Sequence, residues 1–250
     1  MDMVLARPFA DLTARAPLCT DPATASGTLR EACSLLRSED AAHLAPEECA
    51  AWFSGVIRDV LTSPAGQALA GGPVTPTGAL AREELLPGLP IQWVRRGRGD
   101  DSGLTELLAM VGLDGSASDG DPVDLIDSGH FRPDGPDRLL LERAVDKFDG
   151  TDVLGLVADI ARWAAGDRAA LRARTPDRLV AGAANGLLSG DEELMLAQAW
   201  RAALEQQLMT WRDPDRTDDS PREAVQMATD VVRRIAERFT VTVATEGAWS

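Results

Sequence analysis

Arg82 and Glu84 lie two residues apart in TGALAREELLPGLPIQW, the stretch that begins at Thr77. A guanidinium fork suits phosphate or carboxylate. A denser set of the same group follows in VRRGRGDD, where Arg95, Arg96 and Arg98 form a basic cluster that reads as an anion-binding or partner-binding patch, with a solvated loop as the plainer alternative. Carboxylates come after it. Asp100 and Asp101 read as loop residues, whereas Asp124 and Asp127 lie in a short apolar segment. His130 has the pKa range of a general base, but a lone histidine beside Phe131 reads first as a packed or surface residue. Cys19, Cys33 and Cys49 have no CxxC spacing, and with only His43 and His130 beside them they support neither a disulfide framework nor a zinc cluster.

The totals narrow the partners. Forty acidic against 25 basic side chains give a net charge of -15, which repels polyanions, so no nucleic-acid partner is expected. Hydrophobic residues make up 44% of the 250 and aromatics 4%, with no tyrosine, so aliphatic packing dominates and the six tryptophans are the large anchors. MDMVLARPF lacks a basic region followed by a long apolar run, and no segment approaches the ~18 apolar residues of a membrane span. The expected location is the cytoplasm, with no membrane partner.

Three regions must position these groups. Residues 1–70 read as helical: TASGTLREACSLLRSED carries Leu29, Ala32, Cys33 and Leu36 on one face after a start signal at Ser26 and Thr28, and a second helix begins at Pro46. The breaker cluster GGPVTPTGA opens a small α/β unit over 71–135, in which IQWV is a strand flanked by Pro90 and Arg95. LTELLAMVG reads as a helix, GSASDGD as a polar loop and PVDLID as the next strand candidate. From 136 to 250 the pattern is a helical bundle, with start signals at Thr175-Pro176 and Ser189-Gly190-Asp191, and Trp163, Trp200 and Trp211 read as core. The tail VTVATEGAWS alternates like a strand. The fold class expected is a helix-rich α+β protein, a small mixed sheet packed with a C-terminal bundle.

The Thr77 stretch and the bundle together carry a resemblance. Gly78, Arg82 and Glu84, followed at fixed distance by a strand start, resemble the loop of bacterial nucleotidyltransferases that join a nucleotidyltransferase-like domain to a C-terminal helical substrate-binding domain, relatives of the PII-protein uridylyltransferases. DIARWAAGDRAALRARTPDRLVAGAANGLLSGDEELMLAQAWRAALEQQLMTW is similar to the helical domain of that family, and the resemblance extends over residues 40–240. An acidic, arginine-rich composition fits a GC-rich bacterial source.

The departures are chemical. Where the family has serine this chain has Ala79, and where it has the two aspartates of Asp-x-Asp this chain has Pro90 and Gln92. Nucleotidyl transfer relies on paired carboxylates holding Mg²⁺ against the phosphoryl oxygens, and proline offers no ligand while a glutamine amide is a neutral one. Asp127 stands where a remnant of the third carboxylate would map. The resemblance therefore implies a catalytically inactive nucleotidyltransferase-like protein acting as a regulatory or protein-binding module. Gly78, Arg82 and Glu84 would retain weak nucleotide or phosphate binding. No metal and no cofactor are expected on this reading. Two alternatives stay open: a diverged transferase using Mg²⁺, a nucleoside triphosphate and displaced acids at Asp124 or Asp127 to modify a protein or small acceptor, and a purely helical interaction protein. The oligomeric state is left open.

Overall fold

The computed structural model describes residues 6–95, 99–132, 140–142, 144, 152–169, 174–215 and 221–246. It is a helix-rich α+β protein with a small mixed sheet. The chain divides into two compact units, one of residues 1–130 with 207–214, the other of 131–206 with 215–250.

Among the described residues of the first unit, four α-helices come before the sheet: α1 (Arg7–Arg15), α2 (Pro22–Leu36), α3 (Pro46–Thr62) and α4 (Pro64–Leu69). Each has proline in its first turn, where a missing N–H costs nothing. The start signal of α2 lies earlier than Ser26 and Thr28: Asp21 accepts from the Ala23 and Thr24 amides, and Thr24 closes a capping box. Ser26 and Thr28 are instead buried on its face. The core gathers around α3, whose Phe53, Val56, Ile57, Val60 and Leu61 are fully buried with Leu12, Leu29 and Leu36. Trp52 stacks edge-on against Phe9 at 4.6 Å and donates to the Phe9 carbonyl and the Thr13 hydroxyl.

The sheet has the order β1 (Val74–Thr77), β2 (Ile91–Arg95), β3 (Gly115–Ala117). β1 runs antiparallel to β2 with Thr77 opposite Gln92, and β3 runs parallel to β2 with Ser116 opposite Gln92. Pro76 is tolerated because β1 is an edge strand. Between β1 and β2 lies the single turn α5 (Gly78–Ala81), and α6 (Ser102–Ala109) bridges β2 to β3. Trp93, fully buried at the centre of β2, donates its indole N–H to Asp101 at 3.0 Å.

A second expectation for this unit is corrected. PVDLID is not a strand but the short helix α7 (Pro122–Asp127), and the third strand comes from within the polar loop before it. Asp121 caps the Val123 amide and Pro122 fixes the first-turn φ, so the segment carries a complete helix start that outweighs its apolar run.

The second unit contains α8 (Val153–Ala165), α9 (Thr175–Ala184), most of α10 (Gly190–Arg212) and α11 (Pro221–Glu246). α8 is buried along most of its length and packs on α9 through small residues; a Cβ on Gly182 would meet Ala164 Cβ at 2.5 Å. Trp163 meets Phe239 of α11 edge-on at 4.8 Å. α10 starts at the expected Ser189 signal, where Ser189 and Glu192 form a capping box. Trp163 and Trp200 are core, while Trp211 is half-buried beneath the Arg37 guanidinium, with α10 from Gln207 onward belonging to the first unit. The tail residues VTVATE are the end of α11 rather than a strand. Among the described residues no helix is long and apolar enough to cross a membrane.

Candidate functional site

The Thr77 stretch is seated from below by Leu80, Leu85 and Leu86, all fully buried, and pinned by the Leu85 amide, which donates to Ser54 Oγ of α3 at 2.9 Å. Its apolar positions therefore decide where its polar ones go. Arg82 is turned inward. Its Nε donates to Glu84 Oε2 at 2.8 Å and its Nη1 to Asp127 Oδ2 at 2.5 Å, with the Asp127 side chain fully buried. Burial alone would lower the Arg82 pKa, but Asp127 and then Glu84 outweigh it and hold the guanidinium protonated above its ordinary value.

The turn that makes this possible bends sharply. Gly78 has φ +59 and follows β1 directly, a conformation that favours glycine. Glu83, without that freedom, has φ +60 and forms an ion pair with Arg58 at 3.4 Å. The Glu84 amide closes the turn on the Ala79 carbonyl at 2.9 Å. Gln92, across from Thr77 on β2, lays its amide over the turn: a Cβ added to Gly78 would lie 2.8 Å from Gln92 Oε1.

α7 completes the arrangement. Thr77 Oγ1 donates to the Asp124 carbonyl at 2.5 Å, and Ser118 Oγ donates to the Asp124 carboxylate, so α7 is fastened to the end of β1 and to the loop after β3. Gly78, Arg82, Glu84, Gln92, Asp124 and Asp127 thus share one region of the fold. Ala79 lies half-buried in α5 and Pro90 is exposed just before β2.

The other candidates separate from it. Arg95 is exposed at the end of β2 and bonds to the Gly99 carbonyl and Asp101, while Arg96 and Arg98 lie outside the described residues. Asp100 accepts from the Ser102 amide and hydroxyl, which hold its carboxyl below its ordinary range, and it acts as a local turn former. Asp101 is committed to Trp93 and Arg95. His130 is exposed and its Nδ1 meets Ser128 Oγ at 2.9 Å. Burial pushes the Cys33 and Cys49 thiols up, more than Arg37 and Arg212 lower them. No three His, Cys, Asp or Glu side chains come together as a metal site among the described residues.

Three residues of this region have no signal in the spacing: Thr77, Ser118 and Ser54. They act through contacts between segments far apart in sequence, and only their residue type, a small hydroxyl near a turn or a packed helix, hints at such use. Comparison with protein-family models, with curated proteins and with solved structures finds no match to this chain.

Proposed function

We propose that this protein is a nucleotidyltransferase-like chain without transfer chemistry, acting in the cytoplasm as a regulatory module that binds a protein. The observation that carries this reading is the state of the charged groups around the Gly78 turn. Arg82 is fully engaged by Glu84 and Asp127, and a neutral amide, Gln92, covers the turn. In a transferase these positions must present free carboxylates to a cation and free donors to phosphate. Here the carboxylate of Asp127 is buried against a guanidinium, and the neutral Gln92 amide lies against Gly78.

Phosphate or nucleotide recognition by Arg82 would require one of those carboxylates to give way. That argues for a surface read by a macromolecule over a pocket for a small anion. Arg95 at the end of β2, with Arg96 and Arg98 after it in sequence, is the basic group to which an acidic partner would be drawn.

The test has two arms. Labelled nucleoside triphosphates with Mg²⁺ and a cell lysate should give no transfer by this protein; label that appears and is lost on Asp124→Ala or Asp127→Ala establishes the diverged transferase instead. Reversing Arg95, Arg96 and Arg98 to glutamate should weaken a co-purified partner in a salt-dependent way while leaving the fold intact. Equal affinity at low salt removes the cluster from the binding surface.

A further inference from the structure

The turn that leads into β2, and so to Gln92, is held by a segment from far along the chain. Leu89 N–H closes the turn on the Leu86 carbonyl at 3.1 Å, and the Pro87 carbonyl within it accepts from Gln207 Nε2 at 3.1 Å. The amide can reach because residue 88 has no side chain: a Cβ on Gly88, whose φ is +87, would lie 2.7 Å from Gln207 Nε2. Gly88 and Gln207 are a matched pair.

The rest of the segment is tied to the N-terminal helices. Arg212 Nε donates to the Leu36 carbonyl at 2.8 Å and Nη2 to the Ala41 carbonyl at 3.1 Å, while the Arg37 guanidinium lies 4.0 Å over the Trp211 ring. Leu208 is buried, but Gln207, Trp211 and Arg212 are only half-buried. The hold is therefore mostly side chain to backbone, at the edge of the unit, in contrast to the dry apolar contacts of α3. Segments bound in this way open at lower free energy than a core.

We propose that residues 207–214 are a strap that locks the Leu86–Leu89 turn, and that lifting the strap is the local opening that releases this turn at the entry to β2. Two states at this place, strapped and lifted, follow from the proposal, and whatever engages the Pro87 carbonyl in the lifted state must compete with Gln207. The device stands on the contacts of the first unit and does not depend on what engages that carbonyl.

Hydrogen exchange on the intact chain tests it. In the native protein the Leu89 amide should open at lower denaturant than the amides of α3; opening of Leu89 only with α3 overturns the proposal. Gln207→Leu keeps the bulk and removes the donor, and should speed exchange over residues 86–92 by roughly two- to tenfold, the range of one net hydrogen bond, with α3 unchanged. Unchanged exchange over 86–92, or an equal increase throughout the first unit, refutes it.

Discussion

Two arginines, one in each unit, bond to buried carboxylates and are used in opposite ways. Arg82 faces two acids, Glu84 and Asp127, in a site where all three side chains are buried. Arg238 of α11 clasps one acid, Glu192, at 3.0 and 3.1 Å, and also donates to the Leu187 carbonyl at 2.7 Å, but its side chain is 44% exposed. Glu192 is at the same time the cap of α10. The outer pair is a staple on a helix start, with its glutamate buried and its arginine half in water. The inner triad fixes the Gly78 turn against α7, and there each group depends on the others because none can turn to solvent. Geometry alike at the bond level thus says little about consequence until burial is known.

A scale for the comparison comes from an apolar anchor. Trp200, 4% exposed in the second unit, should cost roughly 3 to 5 kcal/mol on Trp200→Ala, measured by chemical denaturation. An unchanged midpoint would mean the ring is an exposed binding surface. Asp127→Ala should come next at about 3 kcal/mol, the low end for a broken buried pair because Glu84 still answers Arg82. A loss below about 1 kcal/mol would place the triad in water and erase its difference from the outer pair.

Arg238→Gln should cost about 1 kcal/mol, most of it through the Leu187 and cap contacts, and the loss should shrink in high salt. A loss as large as that of Asp127→Ala would show the staple to be the stronger of the two. The smallest effect concerns a carboxylate with a poor partner. Burial pushes the Asp59 carboxyl up, with Arg58 only partly opposing it. Its folded pKa is raised, so its contribution favours the fold at low pH and is lost as pH rises through that value. Asp59→Asn should therefore stabilise slightly at pH 7, by no more than about half a kcal/mol given solvent screening, and not at pH 3. Equal gain at both values would assign the effect to something other than charge.

Elements with long periodic faces and a complete start signal were legible: α3 from Pro46, α9 from Thr175 and α10 from Ser189 stand where the spacing predicts them. The strand IQWV was legible from its apolar run and its flanking breakers. β3 was not, because Gly115–Ala117 is three small residues whose strand state comes from pairing with β2 and not from their own preference. PVDLID misled because a short apolar run has no clear period, while its Asp121-Pro122 start decided the outcome. Of the site, the proximity of Gly78, Arg82 and Glu84 was local and readable. That Asp127 would close on Arg82, 45 residues away, was not, since spacing carries no record of tertiary contact.

The strap has a further meaning for how the molecule is made. A ribosome delivers residues 1–130 well before Gln207, so the Leu86–Leu89 turn emerges without the group that holds its carbonyl, and residues 131–206 of the second unit come between the two in sequence. The first unit can gather around α3 early but reaches its final form only after residue 214 has left the exit tunnel. Its last contacts are among the most distant in sequence, which makes closing this turn a late step of biosynthetic folding.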